Sequence, residues 1–347
     1  MVKADTKRMI GRRSLLLGAG AGGVALNFPG SLTGAGAFSE REALAASAST
    51  VRIVALRFGS VQWLLETIQS NGFDKAEGLT LDVRKVASSQ AGPIALLSND
   101  ADVIVSDWPW AMRQLSKGEA MRFSPYSSAL GAVMVAPESD MTSLADLKGK
   151  RLGIAGSALD KSFILLRAHT KKTVGEDLTD LVKPIFGAPP LLAEEMRSRR
   201  IDAVLNFWTY SARLEGAGFK KLIGMDDVMG GLGVTPPPPM VGFVWGQGFE
   251  AQHPKAVPAF LRAVRSANEL LKTSDAAWEP LRGSMRVKND AEFTALRDTY
   301  RAGIPEAWKP EHTASAEALL ALLKKLGEAE LIGAKTEFDP KLFHGTA

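Results

Sequence analysis

The stretch ADVIVSDWPWAMRQL, residues 101–115, reads as a buried strand that turns through a Trp-Pro-Trp corner into a helix. One hundred residues on, IDAVLNFWTYSARLE at 201–215 repeats the construction. Asp102 matches Asp202, Ser106 matches Asn206, Trp108 matches Trp208, Trp110 matches Tyr210 and Arg113 matches Arg213. A strand-to-helix corner written twice implies two α/β halves, each with its own sheet covered by helices.

The surrounding sequence supports that reading. VRIVAL (51–56), LTLDVRKV (79–86), ADVIVS (101–106), GAVMVAP (131–137), KRLGIAG (150–156), IDAVLNF (201–207), FKKLIGM (219–225) and VGFVWG (241–246) read as strands. Helical periodicity lies between them, at 60–72, 91–99, 108–118, 158–172 and 191–200, and SLADLKG (143–149) is a short capped turn. RFGSVQW (57–63) and IAGSALD (154–160) share a Gly-Ser loop between strand and helix. Pro236 to Pro239 form a stiff connection, and residues from about 254 to 326 are mostly helical. The expected architecture is one lobe of residues 50–135 and 241–330, a second of 136–240, and a loose tail of 331–347. The chain would cross between lobes near 134–138 and 236–244.

Composition excludes several classes of function. The 347 residues carry a net charge of +4, but residues 46–347 hold 36 basic and 35 acidic side chains, and no basic stripe with interleaved aromatics marks a nucleic-acid partner. There is no cysteine, hence no disulfide, thiolate metal site or thiol nucleophile. His169, His253, His312 and His344 are scattered, and none lies at a corner where a catalytic base would serve. No catalytic residue, metal or cofactor is expected. Residues 1–45 read as an export signal: a basic start, Arg12-Arg13 before SLLLGAGAGGVALNF, then small residues at 43–48. The arginine pair resembles a twin-arginine signal, with Gly11 and Leu15 departing from the usual pattern.

In α/β sheets, ligands collect beyond the carboxyl ends of the strands. Ser106 or Asp107 can cap the helix that Pro109 opens, Asn206 or Thr209 the helix containing Tyr210, and Ser60 and Ser157 two others. Capped helix starts carry partial positive charge and N–H donors. Facing rims would enclose those donors with Trp63, Trp108, Trp110, Trp208 and Tyr210, a lining for a small organic anion or zwitterion. Asp102 and Asp202 are expected at strand starts, away from that gap, and Arg113 and Arg213 on solvated helix faces.

From about residue 50 to 330 the chain resembles the substrate-binding proteins of ABC importers, in the nitrate/sulfonate/taurine branch related to thiamine-precursor binders. SLADLKGKRLGIAGSALDKSFILLRA (143–168) carries the resemblance, with the two corner segments. It implies a two-lobed periplasmic binding protein of type II, a monomer that closes on a small molecule by hinge motion and delivers it to a permease with its ATPase. It implies ligand contacts from Gly59, Ser60 and Gln62, from Ser88, Ser89 and Gln90, and from Ser106, Asp107 and Trp108 in one lobe. The other lobe would supply Gly156, Ser157, Asp160, Asn206 and Trp208, with Tyr210 beside them. The heavy aromatic lining departs from the pattern of simple inorganic-anion binders. Rival expectations are a ligand sensor, a partner of an exported oxidoreductase, a binder of an organic metal chelate, and an enzyme like that of thiamine-pyrimidine synthesis, whose Cys-rich motif is absent here.

Overall fold

The apolar runs pair into two five-stranded sheets in the computed structural model, which describes residues 49–88, 90–306, 308–326, 332–333 and 335–344. The proposed export signal lies outside the described residues. In chain order the strands are β1 (Ser49–Leu56), β2 (Leu79–Val86), β3 (Val103–Asp107), β4 (Met121–Ser127), β5 (Ala132–Val135), β6 (Arg151–Ala155), β7 (Lys183–Gly187), β8 (Ala203–Asn206), β9 (Lys220–Gly224) and β10 (Val241–Gly246). The first sheet has the order β2-β1-β3-β10-β4 and the second β7-β6-β8-β5-β9. In each, three parallel strands are followed by one antiparallel strand and then an edge strand. This is the two-lobed α/β architecture that the doubled corner implies.

The doubling extends to the far end of each sheet. Asp102 accepts hydrogen bonds from the Arg52 backbone N–H at 2.8 Å, from Arg52 Nε at 3.1 Å and from Nη2 at 2.5 Å. Asp202 accepts from the same three atoms of Arg151 at 2.8, 3.1 and 2.8 Å. Each arginine also donates to the carbonyl of a left-handed residue, Asn99 or Arg199. These carboxylates lock the strand starts, as expected, and leave the strand ends to a different task.

The antiparallel strands decide how the halves meet. β10 starts at the rim of the first sheet, with Val241 opposite Asp107. β5 starts at the rim of the second, with Ala132 opposite Asn206. Both crossings therefore deliver the chain to a rim. Between Ser127 and Ala132 only residues 128–131 intervene, and five peptide steps reach at most ~18 Å. Connectivity keeps the two rims adjacent, and contacts between the lobes hold them face to face.

The crossings lie a few residues earlier than the sequence expectation of 134–138 and 236–244. The first crossing is at 128–131 and not 134–138, because β5 pairs with β8 and β9 of the second sheet. The second crossing, 232–240, precedes β10. Two strands, β4 and β7, are not read from sequence. Both are edge strands, and both contain a proline, Pro125 and Pro184. An edge tolerates proline and needs less apolar surface, so the strand signal fades there.

The tail is not loose over its described part. Leu342 and Phe343 are fully buried, Phe343 bridges to Phe123 in β4, and its ring stacks on Trp308 at 4.2 Å.

Gly131 sets the tightest constraint at the crossing. A Cβ built there would sit 2.1 Å from the Asn206 carbonyl oxygen. Gly131→Ala is therefore expected to cost about 1–3 kcal/mol through forced overpacking. The check is a urea melt of the variant against wild type.

Candidate functional site

Asp107, the last residue of β3, caps the helix Trp108–Leu115: its Oδ1 accepts from Trp110 N at 2.9 Å. Its Oδ2 accepts from Lys161 Nζ at 3.0 Å. Lys161 opens the helix Lys161–Val174 on the second lobe, so this ion pair spans the two rims. Asp160, immediately before it, is the cap of that helix, accepting from Ser162 N at 2.9 Å and Phe163 N at 3.3 Å. Burial pushes the Asp160 carboxyl up from its usual range.

A second bridge is aromatic. Trp208 starts the helix Trp208–Gly216 on the second lobe, and its ring meets Trp63 edge-on at 6.0 Å and Tyr300 at 6.5 Å. Trp63 and Tyr300 are buried on the first lobe, 6.2 Å apart. Tyr126 completes the group, donating from its hydroxyl to Ser60 Oγ at 2.9 Å. Burial raises both phenols above the usual tyrosine range, so both remain neutral donors at physiological pH. Edge-on aromatic pairs contribute about 0.5–1.5 kcal/mol each beyond the area they bury.

Behind the rims lies a polar latch. The helix Asp290–Ala302 packs on Trp208–Gly216 so closely that a Cβ on Gly216 would lie 2.8 Å from Glu292 Cα. Glu292 is buried and accepts from Arg197 Nη2 at 2.8 Å, from Arg213 Nη1 at 3.5 Å and from Lys288 N at 3.0 Å. Arg213 also donates to the carbonyls of Met285 and Arg286. Its burial lowers the guanidinium's pKa from its ordinary value, with Glu292 opposing that shift. Arg213 is thus an inter-lobe anchor and not a solvated surface charge.

The remaining predicted residues divide. Gly59 is half-buried at the first rim. Gln62 is buried with no partner for Oε1 among the described residues. Ser88 and Gln90 are exposed and hydrogen-bond each other, while Ser89 lies outside the described residues. Ser106 is half-buried opposite Gly242. Gly156 and Ser157 are exposed on the second rim. Ser60 and Ser157 do not cap helices: Ser60 serves Tyr126, and Ser157 Oγ accepts from Leu159 N at 3.2 Å. Asn206 is scaffold, its Nδ2 donating to the Pro189 carbonyl and its Oδ1 accepting from Phe207 N. Tyr210 lies by Arg213, whose guanidinium is 6.0 Å from its ring centre.

Trp108 requires a correction. Its ring is fully buried and meets Phe343 at 5.9 Å, so it packs under the C-terminal segment and does not face Trp208 across the gap. The repeat fixes the position of a corner residue but not the rotamer of its side chain. Lys161, Tyr126, Tyr300 and Glu292 are missed by sequence reasoning. Only Lys161 carries a local signal, a lysine placed in the first turn of a helix where positive charge is unfavourable.

Comparison with known proteins gives this geometry a family. A family model described as "NMT1/THI5 like" matches residues 67–276, more than half of the chain. The chain belongs to the NMT1/THI5-like family. A curated relative named a putative thiamine biosynthesis protein, from Haemophilus influenzae, is 28% identical over 149 residues, 42% of this chain. That match spans about half of the relative's length, 47%. Among solved structures, the periplasmic aliphatic sulphonate binding protein SsuA of Escherichia coli superposes with a TM-score of 0.66 at 14% identity, covering 87% of this chain and 96% of that one. The alkanesulfonate-binding protein SsuA of Xanthomonas axonopodis pv. citri, bound to MOPS, gives 0.62 at 16% identity, covering 84% and 97%. At such identities the likeness establishes the fold that this NMT1/THI5-like chain shares with them.

Two variants separate packing from bridging. Trp108→Ala is expected to destabilise the protein by about 3–5 kcal/mol; Trp208→Ala, half-buried at the rim, should cost less than half as much. Parallel urea melts check the difference. Glu292→Ala removes the buried carboxylate that Arg197 and Arg213 share, leaving the half-buried Arg213 with carbonyl partners only, and should cost about 3–5 kcal/mol. Faster hydrogen exchange across 208–216 than elsewhere in the second lobe would show that the latch has opened.

Proposed function

We propose that this protein is the substrate-binding component of an ABC importer, which captures a small organic anion or zwitterion between its lobes and releases it to a permease and its ATPase. The observation that carries this reading is the entry of both inter-lobe crossings at a rim, so that side chains of both rims touch. A cleft with that connectivity opens and closes about two short segments, and a ligand that contacts both rims favours the closed state. The polar groups at the rims, Asp107, Lys161, Asp160 and the buried Gln62, suit a polar head. Phe58, Leu159 and Phe207, exposed at the rims, suit an organic body.

Family membership and the sulfonate-binding neighbours support the same reading. The expected setting is the periplasm, reached by the twin-arginine route, with the protein acting as a monomer and without a cofactor. We infer that it is not an enzyme, because among the described rim residues no serine is hydrogen-bonded to a histidine or carboxylate that could serve as its base. The thiamine-biosynthesis name of the Haemophilus relative motivates the one competing reading.

Native mass spectrometry of protein purified without unfolding tests the proposal. A stoichiometric small molecule should be retained, and it should be recovered chemically unchanged when the protein is denatured. Steady conversion of that molecule on re-addition would contradict it and favour an enzyme. The Trp208→Ala variant should retain the molecule at least tenfold more weakly, about 1.4 kcal/mol.

A further inference from the structure

We propose that the ligand carries charges of both signs, and that Asp107 and Lys161 read them. This narrows the receptor reading above and rests on it. The two residues end opposite rims and meet at 3.0 Å, with side chains 28% and 22% exposed. Anything that enters between the rims at this point must separate them or satisfy them in turn.

Local electrostatics make the pair an unusual one. Lys161 is the first residue of its helix, where the unpaired N–H groups already repel a cation. Its ammonium therefore needs an anion from outside the helix, and Asp107 supplies it. Asp107 is divided between two tasks. Oδ1 is fixed by the Trp110 N–H at 2.9 Å, and Oδ2 alone meets Lys161. The cap survives when Oδ2 changes partner, so the pair can be exchanged without unfolding the corner.

Exchange selects the ligand's charge. A plain anion takes Lys161 but leaves Oδ2 facing a second negative charge. A plain cation takes Asp107 but leaves Lys161 at a positive helix end without its ion-pair partner. Asp160 caps the Lys161 helix through Oδ1, accepting from Ser162 N and Phe163 N, while the ion-pair contact of Lys161 is made to Asp107 on the opposite rim. A molecule with an anionic head and a cationic group satisfies both halves of the separated pair.

Calorimetric titration with two matched probe pairs tests this: taurine against ethanesulfonate, and 4-(aminomethyl)benzoate against 4-methylbenzoate. In wild type, the zwitterion of at least one pair should bind at least tenfold tighter than its des-amino partner. Asp107→Asn keeps the cap, since Asn is as good a cap as Asp, and should shrink that ratio to threefold or less. Lys161→Met should weaken the zwitterion at least tenfold with its melting temperature preserved. Equal or tighter binding of the des-amino partner, a ratio that survives in Asp107→Asn, or binding of none of the four probes would overturn the inference. Native mass spectrometry of the untreated wild type keeps the two readings apart. If a small molecule is retained while all four probes fail, the charge reading falls and the receptor reading stands.

Discussion

Each sheet of this protein is finished by a strand that arrives from the other half of the molecule. β10 fills the place between β3 and β4 only after the chain has built the whole second lobe, and β5 enters the second sheet directly after leaving the first. Because both strands run antiparallel to their parallel neighbours, both begin at a rim. The adjacency of the rims is thus a consequence of strand direction and of a four-residue connection. Side-chain contacts between the lobes then hold the rims face to face.

Those contacts fall into layers with different chemistry. The outermost is the exchangeable Asp107–Lys161 pair. Next is Trp208, set against Trp63 and Tyr300. Deepest is Glu292, buried between two arginines of the second lobe. A buried carboxylate with several donors is costly to separate, whereas a partly exposed ion pair contributes little to stability. Under the proposed function, the outer layer is the one that a ligand rearranges, and the helix Asp290–Ala302, which follows both crossings in sequence, takes part in closure.

The sequence made the fold legible because the repeat is periodic at one hundred residues and each copy contains a buried parallel strand. The clamps of Asp102 on Arg52 and Asp202 on Arg151 repeat the same geometry at the opposite ends of the strands. Much less of the site was legible. The corner positions are correct as places on the rim, but Trp108 turns inward to Phe343 and Asn206 spends its amide on the local backbone. Glu292 and Tyr300 lie in a helix with no counterpart in the repeat, so no comparison of the two halves could indicate them. The proline-bearing edges β4 and β7 were missed for the reason that makes them edges: little apolar surface is required there.

The central claim is that the rims are the moving faces of one cleft. It can be measured as a distance between equivalent rim positions, Ala87 after β2 and Ala188 after β7, both exposed. The chain has no native cysteine, so Ala87→Cys and Ala188→Cys give two clean spin-label sites for pulsed electron resonance. Protein as purified should give one short, narrow distance distribution. The same protein stripped of small molecules by unfolding and refolding should give a longer and broader one. Identical distributions in the two preparations would mean that the lobes do not open, and the account of a closing receptor would be wrong.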